Sequence, residues 1–139
     1  VSAMRPPPDS LRTVPEIRAY LMRVPEGTIP DLSGLRLDSL DFSGLDLRKA
    51  NLTRSSLRGA NFTGADLFSC DLTDAIATGA NFEKANMDGT TLRRADFRRA
   101  NLGKHANYFP DLARRRSAIS RMIGSHPSVE VPRRAYETP

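Results

Sequence analysis

Large apolar residues recur at every fifth position through the middle of this chain. Leu or Phe stands at 32, 37, 42, 47, 52, 57, 62, 67, 72, 82, 92, 97 and 102, and Ala77 and Met87 complete the series. With the large residue as position i, small residues dominate i−2 from Ala50 onward, and Asp or Asn holds i−1 in eleven of fifteen units. Position i+2 takes six glycines, at 34, 44, 59, 64, 79 and 89. All fifteen units, residues 30–104, share one register. A spacing of five excludes both regular structures. A helix turning about 100° per residue would spread the leucines over every side, and a strand alternating faces would send every second leucine into solvent. Each unit must instead be a short strand and turn stacked on its neighbours. If i and i−2 point inward and i−1, i+1 and i+2 outward, a narrow core needs only two inward residues in five. A chain that is 39% hydrophobic can then be well packed.

Proline and glycine mark the limits of this region. All ten prolines (6, 7, 8, 15, 25, 30, 110, 127, 132, 139) lie outside residues 31–109, whereas seven of the nine glycines lie inside. A stack of such units exposes unpaired backbone and an apolar cross-section at each end, which terminal segments must cover. Residues 15–24 read as a helix with Pro15 in the first turn and Ile17, Tyr20, Leu21 and Val24 on one face. Leu35, Leu40 and Leu45, at i−2 slots where later units use alanine, add apolar surface at the end this helix would cover. Beyond the repeats, Asp111 can cap a second helix stopped by Gly124, with Leu112, Ile119, Met122 and Ile123 as its apolar stripe and Arg114, Arg115 and Arg116 on its polar side. The expected organisation is an extended Pro-rich arm (1–14), an N-terminal cap (15–29), the repeats (30–104), a C-terminal cap helix (105–124) and a second extended arm (125–139).

The units ANLTR (50–54), ANFTG (60–64), ADLFS (65–69), ANFEK (80–84), ADFRR (95–99) and ANLGK (100–104) closely match the consensus A(D/N)LXX. In these residues the chain resembles the pentapeptide-repeat proteins. The resemblance implies an all-β solenoid, a right-handed quadrilateral β-helix with four units per coil and here just under four coils, closed by the short terminal helices. Positions 20 apart should then stack. Phe42, Phe62 and Phe82 fall in one such column. Corner Asp and Asn side chains at i−1 would bond the backbone, in keeping with the preference of these residues for turns.

Nothing in the sequence points to catalysis. It lacks a P-loop, GxSxG, HExxH and a dinucleotide fingerprint. His105 and His126 have no cysteine partners, and the single Cys70 occupies an inward slot as a small core residue, so neither a metal nor a cofactor is expected. No run approaches the roughly 18–20 apolar residues of a membrane span, and no secretion signal opens the chain, so a cytoplasmic protein without membrane contact is expected.

Charge is distributed unevenly. Residues 30–79 hold seven acids and five bases, whereas 80–104 and 105–139 each hold three acids and six bases. Arg93, Arg94, Arg98 and Arg99 project from adjacent sides of the last coil, a candidate anion or nucleic-acid footprint together with Arg114, Arg115 and Arg116. No aromatic residues interleave with these arginines as single-strand binding would want, and a solvated surface is the favoured reading. Arg54, Asp74 and Arg94, 20 apart, can form a ladder of alternating charge. Two apolar residues break the outward pattern: Phe68 at i+1, and Ile76 at i−1 directly before the undersized Ala77. Ile76 either rotates inward to fill that gap or joins Phe68 in marking a protein contact.

The leading expectation is a non-catalytic structural or interaction module, a rigid stub whose arms dock on a protein partner or on neighbouring copies in an assembly. Residues Leu112, Ile119, Met122 and Ile123 offer a homodimer surface. The resemblance implies an alternative, since some pentapeptide-repeat proteins bind DNA gyrase by imitating duplex DNA. That role wants an anionic surface, and the basic C-terminal half disfavours it. Direct nucleic-acid binding through the C-terminal arginines is the third reading.

Overall fold

The computed structural model describes residues 11–103. Its repeats wind into a solenoid in which parallel bridges join each i−1 residue to the residue 20 further on, from Asp31↔Asn51 to Asn81↔Asn101. Four units therefore complete one coil. Each side pairs through a single bridge residue, where the sequence suggested a short strand, because a turn begins within two residues of every bridge and leaves no room for a longer ladder.

The five-residue unit follows from a complete account of its backbone donors. In the unit centred on Leu52, the Asn51 N–H reaches down to the Pro30 carbonyl at 2.8 Å, and the Leu52 and Arg54 N–H groups reach up to Asp71 and Thr73, each at 2.9 Å. The Ser55 N–H closes the turn on the Leu52 carbonyl at 3.2 Å. One donor remains, that of Thr53 at i+1, and it is taken by the side chain two residues back, Asn51 Oδ1, at 3.0 Å. This is why i−1 is Asp or Asn. The same bond recurs from Ser33 to Asp31, Thr63 to Asn61, Thr73 to Asp71 and Glu83 to Asn81.

The turn also explains the glycines at i+2. Every i+2 residue from Gly34 to Arg99 has a positive φ, and Ser39, Lys49, Arg54, Ser69, Asp74, Lys84, Arg94 and Arg99 adopt it without being glycine. A non-glycine residue in this region carries strain of about 1–2 kcal/mol, and here the surrounding bonds hold it in place.

The i and i−2 side chains fill the interior. Leu32, Leu37, Leu57, Phe62, Leu67, Leu72 and Phe82 are fully buried, as are Ala60, Ala75, Ala80 and Ala95 between them. Phe42, Phe62 and Phe82 stack with centroids 5.0 Å apart at each step. Where i−2 is polar, the core supplies an acceptor: the Cys70 thiol donates to the Leu47 carbonyl and the Thr90 hydroxyl to Leu67, both 23 residues back. Burial pushes the Cys70 thiol up to about 12, which leaves it protonated and unreactive near neutral pH.

The N-terminal helix α1 spans Val14–Arg23. It starts one residue before the predicted helix, fixed by a capping box that the sequence reading passed over: Thr13 Oγ1 accepts the Glu16 N–H, and Glu16 Oε2 accepts the N–H groups of Thr13 and Arg12. These bonds hold the Glu16 carboxyl below its usual range. Ile17 and Tyr20 are buried and join Leu11 in the core, with Leu21, Val24, Leu35 and Leu40 packed beside it. In later coils the i−1 N–H bonds the coil below; Asp31 has no coil below it. Its N–H donates instead to the Tyr20 hydroxyl at 2.8 Å.

Candidate interaction surface

The walls of the solenoid are made of i−1, i+1 and i+2 side chains, and most of these are already engaged. Arg94 grips Asp74 with two nitrogens, at 2.8 and 3.0 Å, and that guanidinium holds the Asp74 carboxyl below the usual range. Arg54, the third member of the expected ladder, acts on Asp74 only by its charge. Arg48 is paired with Asp46 at 2.9 Å and Arg98 with Asp96 at 2.5 Å. Of the four arginines projecting from the last described coil, two are thus spent on internal ion pairs. Arg93 is half-buried, and its Nε has no hydrogen-bond partner among the described residues. Arg99 is exposed and forms no ion pair among the described residues.

Phe68 and Ile76 do not share a surface. Phe68 lines a depression of about 530 Å³ between α1, the segment 24–30 and the wall that carries Asp46, Arg48 and Lys49. Ile29, 43% exposed, stands in the same place. Ile76 lines a second depression, of about 400 Å³, with Arg58, Thr78, Asp96, Arg98 and Arg99. Ile76 has not rotated inward. Its N–H bonds the Ser55 carbonyl and its own carbonyl accepts from Leu57, so the lattice fixes its side chain on the outside. The bulk on that side comes from Phe97, directly above Ala77, whose ring meets Phe82 edge-on at 5.4 Å.

Sequence reading missed Arg58 and Thr78. The signal was present in the i−1 residues sorted by column: four units lack Asp or Asn there, and three of the four, Arg36, Ser56 and Ile76, are stacked on one side. That side has to find other acceptors for its i+1 N–H groups. Asp38 supplies one from the coil below, where its Oδ1 accepts both the Arg58 N–H at 2.8 Å and the Ser56 hydroxyl at 2.6 Å. Arg58 Nη1 then donates to Ser56 Oγ. One coil higher, Ile76 offers no acceptor, and the Thr78 N–H forms no hydrogen bond among the described residues.

Among the described residues no three His, Cys, Asp or Glu side chains gather where they could hold a metal ion, and no helix is long and apolar enough to cross a membrane. The remaining candidates, Arg114, Arg115, Arg116, Leu112, Ile119, Met122 and Ile123, lie outside the described residues, as do the C-terminal cap and residues 1–10 and 125–139.

A family profile described as Pentapeptide repeats, in 8 copies, matches residues 31–67 and 65–103, just over half of the chain. Among solved structures, the chain is 30% identical to HetL, a pentapeptide repeat protein involved in heterocyst differentiation regulation from the cyanobacterium Nostoc sp. strain PCC 7120. That match covers 53% of this chain and 39% of HetL with a TM-score of 0.29. It is 25% identical to Rfr23 from the cyanobacterium Cyanothece 51142, over 55% of this chain and 63% of that one, with a TM-score of 0.32. It is also 25% identical to the pentapeptide repeat protein alr5209 from Nostoc PCC 7120, over 68% and 88% of the two chains, with a TM-score of 0.27. The chain thus spans less than two thirds of the length of HetL and of Rfr23. Among curated proteins none matches.

Proposed function

Because the chain belongs to the pentapeptide-repeat family and forms a right-handed β-helix solenoid, we propose that it is a non-catalytic interaction module. In this reading a quadrilateral stub, closed by α1 at its N-terminal end, docks through its walls and terminal segments onto a protein partner or further copies of itself. One observation carries this reading. In the fifteen units only two outward slots are apolar, those of Phe68 and Ile76, and each side chain lines a depression in an otherwise polar wall. Apolar side chains set into shallow depressions without a cluster of reactive groups suit a partner's side chain better than a substrate undergoing chemistry. Imitation of duplex DNA fits less well, since Arg58, Arg98 and Arg99 gather round one of these depressions where a mimic would place acids.

The test is the mass in solution by light scattering, measured on the full chain alone and with its co-purified partner. Deletion of residues 1–10 and 125–139, or Phe68→Ser, should reduce the associated mass. Association unchanged by all of these substitutions and deletions overturns the reading.

A further inference from the structure

We infer that the depression beside Ile76 is a docking site for a carboxylate side chain from an acidic peptide segment of the partner. The inference rests on the interaction-module reading and specifies the chemistry of one contact.

The argument begins with the unit itself. In eleven units the i+1 N–H is taken by the side chain at i−1, and in all eleven the acceptor is an Asp or Asn Oδ1, as from Thr73 to Asp71 at 2.9 Å and from Arg98 to Asp96 at 3.1 Å. Ile76 puts a hydrocarbon where that oxygen belongs. In the unit below, the same defect at Ser56 is repaired by Asp38, which reaches across to the Arg58 N–H. The corresponding position one coil above Asp38 is Arg58, a cation, so no equivalent repair exists for Thr78. A backbone donor therefore lies at a recess where no described residue accepts from it.

The surroundings select what would fill it. Arg58, Arg98 and Arg99 line the recess, and Asp96, its one acid, is already held by Arg98. The recess has a net positive charge, which favours an anion. A carboxylate matches the missing group in kind, being the acceptor that Asp supplies in the other units, while Ile76 offers the partner's neighbouring aliphatic carbon an apolar contact. A peptide acid thus completes the unit's hydrogen bond and meets Arg58 and Arg99, neither of which forms an ion pair among the described residues. Phosphate or nucleic acid would use the charge but not the Ile76 contact.

Ile76→Asp supplies a decisive variant, because it restores the family residue and should fold at least as well as the natural chain. The experiment is an NMR titration of the full-length protein with the peptide acetyl-Leu-Asp-Leu-amide, using acetyl-Leu-Asn-Leu-amide as the neutral control. In the natural protein the Thr78 amide resonance should move downfield with the acidic peptide, weaken at least tenfold in 1 M salt, and respond little to the neutral control. In Ile76→Asp that resonance should already be displaced without peptide, and the response should fall at least tenfold; Arg99→Ser should reduce it severalfold. No movement of Thr78 at millimolar peptide, equal binding by Ile76→Asp, or a stronger response to inorganic phosphate or duplex DNA overturns the inference. So does a Thr78 resonance that moves when residues 125–139 are deleted, which would make the occupant this chain's own tail. Failure here with association still lost on deleting the arms removes only this contact, whereas loss of both removes the module reading as well.

Discussion

Tyr20→Phe isolates one atom on which the N-terminal end of the solenoid depends. The substitution keeps the ring that α1 buries and removes the hydroxyl that accepts the Asp31 N–H at 2.8 Å. Asp31 is 9% exposed, so water cannot readily replace the acceptor. A buried donor left without a partner costs about 1–3 kcal/mol. With a urea dependence of about 2 kcal/mol per molar, a 2 kcal/mol loss lowers the unfolding midpoint by about 1 M. Ile17→Ala, in the same helix, deletes fully buried hydrocarbon and should cost about 2–5 kcal/mol. Met22→Ser, at a side chain 87% exposed, should stay within about 0.5 kcal/mol. Hydrogen exchange locates the effect, since the Asp31 amide should lose protection in Tyr20→Phe before the Phe62 amide, which lies within the stack. A midpoint within about 0.2 M of the natural protein, with Asp31 still protected, would refute the claim that Tyr20 replaces an absent coil.

Three further outcomes follow from the lattice. Phe62 touches a ring on either side, so Phe62→Leu should lose about 1–3 kcal/mol of ring contact, and Phe62→Ala at least about 3–5 kcal/mol, both read from urea midpoints. Lys84 holds φ at 59° and is exposed, so Lys84→Gly should stabilise by up to about 1 kcal/mol; Gly64→Ala, one coil below in open space, should destabilise by a similar amount, which thermal unfolding would show. Burial raises the Cys70 thiol from an ordinary 9.0 to about 12, so the folded state keeps a proton that the unfolded chain releases. Stability is then intact below about pH 9 and falls as pH rises toward 12, by about 1.4 kcal/mol at pH 10. Cys70→Ser should remove that part of the alkaline slope, and an identical slope in both proteins would contradict the assignment.

The period of five was enough to derive the inward pair, because that depends only on residue size repeated at a fixed interval; the four-unit coil, and with it the column of Phe42, Phe62 and Phe82, came from the resemblance to the pentapeptide-repeat proteins. The boundary of α1 was less legible. Thr13 and Glu16 form an ordinary capping box, but Pro15 between them drew the start of the helix one residue too far along. The surface was harder still. Arg93, Arg94, Arg98 and Arg99 look alike in sequence, yet their roles depend on whether an acid stands 20 residues back, as Asp74 does for Arg94, or two residues back, as Asp96 does for Arg98. Phe68 and Ile76, eight residues apart, likewise look like one patch, yet they stand two units apart and so on opposite sides of the four-unit coil. The coil separates them, placing Phe68 against the segment after α1 and Ile76 among arginines.

In a chain whose backbone donors are satisfied unit by unit, departures from the repeat carry more information than the repeat itself. Most substitutions at i+1 change only what the wall presents, and those at i+2 add only the cost of a positive φ. A substitution at i−1 removes a hydrogen-bond acceptor as well, and the structure answers each case differently. Asp38 repairs the loss at Ser56 from a neighbouring coil, at the cost of fixing its own carboxylate. No such repair is made at Ile76 among the described residues, since the position one coil below Thr78 is held by Arg58, a cation, and Asp96 is held by Arg98. The Asp38 and Arg93 N–H groups, in units that also lack Asp or Asn at i−1, likewise form no hydrogen bond among the described residues; the Ile76 unit differs in that three arginines surround it, so that Asp at position 76 would satisfy the Thr78 donor and offset the local charge together. Among the described residues the Thr78 N–H is left without an acceptor beside Arg58, Arg98 and Arg99, and the proposed partner carboxylate would complete the unit there.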